Sequence, residues 1–202
     1  MIITELVEAS KSRVKVYIDD EFAFVLYKGE LRKYGIVLGQ QLDENYFNEI
    51  MNEVLPKRAK LRCMNLLKSK DYTREQLHLK LKQGGYPEQV SAQALDYVAS
   101  YKYIDDYRYA MDYIQCSQGL RSKRKIENDL KKRGVFPDVI NKAWEQWMEE
   151  GNTIDEDKLI QQLLIKKNFV KEEATEKEVR RMYGFLVRKG FDVDKISKAL
   201  LR

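Results

Sequence analysis

A 23-residue pattern occurs three times in this chain, and nothing else in the sequence restricts the fold as tightly. It reads TREQLHLKLKQGGYPEQVSAQAL from Thr73, SKRKIENDLKKRGVFPDVINKAW from Ser122 and EVRRMYGFLVRKGFDVDKISKAL from Glu178. Aligned without gaps, the segments agree at Leu77, Ile126 and Met182; at Leu81, Leu130 and Leu186; at Gly85, Gly134 and Gly190; and at Ala94, Ala143 and Ala199. Apolar residues four apart share one helix face, the glycine stands where a helix needs a left-handed residue to stop, and the alanine admits a close helix neighbour. Pro87 and Pro137 follow the glycine closely, which suits the first turn of the next helix. The pattern therefore predicts helix, sharp turn, helix, three times over.

A further helical pattern precedes each segment: Ala59, Cys63, Leu66 and Leu67; then Tyr107, Ala110, Met111 and Ile114; then Leu159, Ile160, Leu163 and Leu164. That gives three helices per unit. Ile104 and Ile154 stand ahead of Asp105 and Asp155, the expected N-caps at the hinges. The units are set at 57–105, 106–154 and 155–202. Before them, residues 2–7, 14–18 and 22–26 are rich in β-branched and aromatic residues, with Asp19, Asp20 and Glu21 as the tight connection between the last two. From Asp43 the period becomes helical through Tyr46, Phe47, Ile50, Met51 and Val54, and Pro56 is expected to close that helix and begin a charged link to Lys60. The expected fold is mainly α, three tandem three-helix repeats in an elongated curved array, behind a small β-hairpin and helix module over 1–56.

At 44% hydrophobic and 34% charged residues, the chain has apolar surface for compact domains but no run near the roughly 20 apolar residues of a membrane span. No secretory signal pattern opens it, so a cytoplasmic location is expected; the protein is expected to be a monomer. Catalytic and metal chemistry has little to draw on: one histidine, two distant cysteines, and no HExxH, CxxC, GxSxG or phosphate-cradling glycine loop. His78 reads as a surface or boundary residue, and Cys63 and Cys116 as reduced, packed thiols. The pairs Asp19–Asp20 and Asp105–Asp106 read as a turn and a cap. No enzyme activity, cofactor or metal is expected.

The formal charge of +5 favours anionic partners, and the arrangement of the bases matters more than their sum. Arg121, Lys123, Arg124, Lys125, Lys131, Lys132 and Arg133 surround one helix of the second unit. The first unit offers Arg74, Lys80 and Lys82 on the equivalent helix, and the third Lys177, Arg180, Arg181, Arg188 and Lys189. One reading is an ordinary charged solvent face, since Glu75, Glu127, Asp129, Glu176 and Glu178 lie among them; the other is a recurring stripe for a shared anionic partner. Tyr101, Tyr103, Tyr107, Tyr109 and Tyr113 cluster between the first two units, read as packing at that joint or as a stacking platform for bases.

The stretch YIDDYRYAMDYI, then a glycine and a basic helix ending LKKRGV, resembles the most characteristic segment of the bacterial RecX regulatory proteins. TREQLHLKLKQGGYPE resembles their first helical unit, the third unit their more variable end, and the N-terminal hairpin with YGIVLGQQLD an extension of some members. Tyr103, Ile104, Asp105, Asp106, Tyr109, Ala110, Gly119, Leu130, Lys132, Gly134 and Val135 carry the match as a structural signature, with Val135 where isoleucine is usual. The resemblance implies a non-enzymatic protein of tandem three-helix units that binds the RecA filament on single-stranded DNA and limits its growth and strand exchange. Arg121, Arg124, Lys125, Lys131 and Lys132 would then meet acidic filament surfaces or phosphate, with Lys80, Lys82, Arg180, Arg181, Arg188 and Lys189 extending the contact. The rival expectation is a helix-turn-helix-like DNA-binding protein acting without RecA.

Overall fold

In the computed structural model, which describes residues 1–200, the chain begins as an antiparallel meander of β1 (Ile3–Ser10), β2 (Arg13–Ile18) and β3 (Glu21–Tyr27). Asp19 and Asp20 form the two-residue turn between β2 and β3, both with left-handed backbone (φ 49° and 67°), the requirement of a type I′ hairpin. Along β2, Val14, Val16 and Ile18 are buried while Arg13 and Lys15 are exposed, so one face enters a core and the other meets solvent. β1 extends beyond the expected 2–7 because its pairing with β2 continues to Ser10 opposite Arg13.

α1 (Lys28–Lys33) follows at once and has no apolar stripe that could announce it in the sequence. A local device starts it: the Glu30 carboxylate accepts a hydrogen bond of 2.8 Å from the Tyr27 N–H. α2 (Glu44–Glu49) is capped by Asp43, as its acidic start suggests. Pro56 does not close this helix. The backbone passes through a π-type turn, Ile50–Val54, into α3 (Leu55–Leu67), with Pro56 in the first turn of α3. Proline lacks an N–H and crowds the carbonyl four residues back, Asn52 here; the wider π turn has already loosened that part of the ladder. The expected charged link from Pro56 to Lys60 is thus helix.

α3 packs with α4 (Arg74–Gln83) and α5 (Glu88–Ser100). One core joins Val16, Phe24 and Leu26 of the sheet, Leu55, Ala59 and Cys63 of α3, and Leu77, Leu81, Val90 and Ala94 of the repeat. Residues 1–105 accordingly make one unit, and Asp106 begins a second. In the second, α6 (Asp106–Ser117), α7 (Lys123–Lys132) and α8 (Pro137–Glu149) enclose Ala110, Ile114, Ile126, Leu130, Ala143 and Trp147. α9 (Glu156–Lys166), α10 (Glu176–Lys189) and α11 (Val193–Leu200) enclose Leu159, Ile160, Leu163, Met182, Leu186 and Ile196. The repeat leucines are core, and Gly85, Gly134 and Gly190 are left-handed (φ 77°, 82° and 88°) after α4, α7 and α10. Asp155 caps α9, accepting from the Lys158 N–H at 2.9 Å. The mainly helical fold behind a small sheet is the one the sequence predicts.

Two packing expectations are corrected. Cys63 is buried, but Cys116 is exposed, because Ile114 and Ser117 take the inward face of α6 and leave it on the outer one. Tyr101, Tyr103 and Tyr107 are exposed, while Tyr109 and Tyr113 are half-buried against the α6–α8 core.

Candidate functional site

Residues four apart lie along one side of a helix, and Lys125, Asp129 and Arg133 follow that spacing, with Arg121 four residues earlier. Asp129 is the acid in this basic series and it is buried, only 8% exposed. Its carboxylate accepts from Arg121 Nη1 at 2.7 Å, from Lys125 Nζ at 2.9 Å and from the Tyr113 hydroxyl at 3.2 Å. Burial alone would raise this carboxyl, but the bonded Lys125, then Tyr113 and Arg121, hold it below the ordinary carboxylate range. Arg121 also donates to the Tyr113 hydroxyl at 2.6 Å, and the Arg133 guanidinium lies 4.5 Å over the Tyr113 ring. A buried acid thus fixes the direction of the surrounding cations.

The third repeat docks on the start of this helix. Ser122 caps α7, and its N–H and hydroxyl donate to the backbone carbonyls of Lys189 (3.2 Å) and Gly190 (2.7 Å). A Cβ on Gly190 would lie 2.5 Å from Lys125 Cβ and 2.7 Å from Ser122 Oγ, so a side chain there is excluded by contact as well as by its backbone angle. This close approach sets Arg188 and Lys189 beside Arg121 and Lys125.

Between them lies an open groove of about 510 Å³ lined by Arg121, Lys125, Arg133, Arg188 and Lys189, with Asp129 and Phe185. Five cations face one carboxylate. Lys189 Nζ lies 5.6 Å over the Phe185 ring, and Lys167 Nζ lies 5.4 Å over it. Desolvation, then repulsion from Arg121, Lys166 and Lys167, pushes the Lys189 ammonium below its ordinary value. A cluster that resists its own charge is relieved by an anion, and guanidinium groups suit the paired oxygens of carboxylate or phosphate.

The remaining expected site residues are dispersed. Lys123 turns toward α8, with Nζ 5.2 Å over Trp144, and Arg124, Lys131 and Lys132 are exposed on α7. Arg180 pairs with Glu176 at 3.5 Å, and Arg181 lines a separate cavity with Glu178 and Lys167. Lys80 and Lys82 are exposed on α4 in the other unit. Tyr109 stacks on Tyr113 (6.5 Å, 4°), one ring from the groove. Alignment on the glycines explains the uneven outcome: Arg124, Lys125, Lys132 and Arg133 correspond to Arg180, Arg181, Arg188 and Lys189, but to Glu75, Gln76, Gln83 and Gly84 in the first repeat. At these four positions the bases recur in two units, not three; Arg74 and Lys82 of the first align instead with Lys123 and Lys131 of the second. Asp129 and Phe185 are groove residues that charge counting misses, and Tyr113 supports the groove from behind through Asp129, Arg121 and Arg133; the one acid four residues after Lys125 was the available signal.

Two three-helix units that pool their cations in a shared groove define a modular helical protein with a cation-lined surface. Comparison with known proteins places it further. Residues 59–97 match the RecX first three-helix domain and residues 155–200 the RecX third three-helix domain. The regulatory protein RecX of Caldanaerobacter subterraneus is 30% identical over 99% of this chain and 98% of its own, and that of Clostridium acetobutylicum 25% over 97% and 92%. The crystal structure of a regulatory protein RecX shares the fold at a TM-score of 0.58, with 21% identity over 98% of both chains. RecX from Lactobacillus salivarius does so at 0.52, with 18% identity over 72% of this chain and 94% of its own. The chain belongs to the RecX family of regulatory proteins.

Proposed function

We propose that this protein binds the RecA recombinase filament on single-stranded DNA and restrains its growth, ATP hydrolysis and strand exchange, a cytoplasmic control on homologous recombination, DNA repair and the SOS response. The observation that carries this reading is the groove between α7 and α10, where Arg121, Lys125, Arg133, Arg188 and Lys189 converge. Family membership supports the choice of partner, and the groove offers the chemistry to meet it. Its cations meet acidic side chains of the filament or phosphates of the strand it holds, and exposed Arg124, Lys131 and Lys132 continue the surface along α7.

The mechanism is steric and electrostatic: a bound chain occupies filament surface that the next recombinase subunit needs, and no bond is made or broken. The three units, 57–105, 106–154 and 155–202, act as successive contact modules of a monomer, with Lys80, Lys82, Arg180 and Arg181 as outlying contacts. The test is binding of the protein to labelled single-stranded DNA, bare and coated with RecA, across a range of salt. Tighter binding to the coated strand supports the reading. DNA-only binding weakens by about 0.7 log units per log salt for each neutralised phosphate of a single strand. If RecA adds nothing to that binding, the chain is a RecA-independent DNA-binding protein of helix-turn-helix-like repeats.

A further inference from the structure

We propose that the solvent face of the N-terminal sheet is a second binding site, for single-stranded nucleic acid, with a base against the Tyr17 and Phe22 rings and flanking phosphates on Arg13, Lys15 and Lys82. These residues line a groove of about 410 Å³ between the sheet and the turn that ends α4. It lies in the other unit from the α7–α10 groove and uses none of its residues.

The strand period creates the site. Because Val14, Val16 and Ile18 are buried, Arg13, Lys15 and Tyr17 fall on the opposite face of β2. Across the hairpin, Tyr17 pairs with Phe22, and their rings meet edge-on at 5.7 Å and 69°. Phe22 remains 43% exposed, so this apolar ring is only partly used in packing. The α4 turn closes the other side. A Cβ on Gly85 would lie 2.2 Å from Val25 Cγ2 and 3.5 Å from Phe22 Cζ, and this approach brings Lys82 to the rim.

Charge and shape select the ligand class. Glu8, the carboxylate among the lining residues, is hydrogen-bonded to Lys28, which leaves Arg13, Lys15 and Lys82 as a cationic excess. Arg13 and Lys15 stand two residues apart on a strand, about 7 Å, a repeat suited to successive phosphates of an extended chain. Aromatic rings beside such a row give bases a stacking surface that does not depend on sequence. An acidic peptide or free phosphate would leave those rings unused.

The test uses the full chain without RecA, with 15-nucleotide oligo-dT and oligo-U carrying a photoreactive thio-base. Cross-linked peptides containing Tyr17 or Phe22 are expected, and the relative yields of the two oligonucleotides identify the preferred sugar. Phe22→Ala is expected to weaken binding about tenfold, with Phe22→Trp restoring it, since one stacked base contributes on that scale. Lys15→Gln with Lys82→Gln is expected to reduce the slope of log affinity against log salt by about 1.4, or 0.7 for each lost phosphate contact. Far-UV circular dichroism confirms that the variants fold. Parental affinity and slope in these folded variants, with no cross-link at Tyr17 or Phe22, would overturn the proposal.

Discussion

Gly85 and Gly190 hold the same position in the repeat and the same left-handed backbone, yet each is pressed against a different neighbour. In the first unit the turn lies on Val25 of the sheet; in the second it lies on Ser122 and Lys125 of the adjoining repeat. Because the glycine is needed both for its backbone angle and for close approach, whatever docks beside it decides which side chains face each other. A sheet yields a groove with rings and three cations. A second repeat yields one with five cations around a buried acid. One folding unit thus gives two surfaces, and the difference arises from the docked partner.

The strongest way to break this comparison is to fill the contacts. Trp144 and Trp147 are the only tryptophans and both lie in the second unit, so their fluorescence reports that unit alone. Gly190→Ala adds a strained left-handed alanine and a clash, and is expected to lower stability by about 3 kcal/mol in Trp-monitored denaturant unfolding. Gly151→Ala has the same backbone sign (φ 82°) and open space, and is expected to cost only about 1 kcal/mol. Gly85→Ala should lower the far-UV circular dichroism transition while leaving the Trp transition in place. Equal shifts of the Trp signal by Gly85→Ala and Gly190→Ala would dissolve the distinction between the contacts.

Asp129→Asn leaves Arg121 and Lys125 facing each other across a half-satisfied site, at an expected cost of about 2 kcal/mol near neutral pH. The folded carboxyl lies below its unfolded value, near 3.9. Its contribution is therefore complete above about pH 4 and is lost as pH falls through the folded value, so the gap between parent and variant should close in acid. A constant gap down to pH 2 would contradict the pairing. Lys189→Gln removes a cation its neighbours repel, so stability should hold or rise by no more than about 0.5 kcal/mol while anion binding falls. The smallest effect concerns the thiols: burial pushes Cys63 up to about 11, so a thiol reagent should modify exposed Cys116 first in the folded protein.

The repeat was legible because its signals are local and periodic: Leu77 and Leu81, Ile126 and Leu130, and Met182 and Leu186 sit four apart ahead of a glycine. The turn at Asp19–Asp20 and the cap at Asp155 were legible for the same reason. Pro56 was misread because its tolerance depends on a π turn, which leaves no mark in hydrophobic period. Cys116 was misread because one step along α6 separates the inward from the outward face. The groove was half legible: Arg121, Lys125, Arg133, Arg188 and Lys189 stood out as bases, but which of the fifteen basic candidates would converge depended on Ser122 meeting Gly190 across 68 residues. No local pattern encodes that meeting.

The central claim, that the α7–α10 groove restrains the RecA filament, is tested most directly by RecA-driven ATP hydrolysis on single-stranded DNA with this protein added below stoichiometry. Parent protein is expected to suppress turnover, and Arg188→Glu with Lys189→Gln, folded by its Trp transition, to lose most of that suppression. Absence of any effect from the parent would contradict the proposed function. Full suppression by the folded double variant would leave the function standing and remove the groove from it.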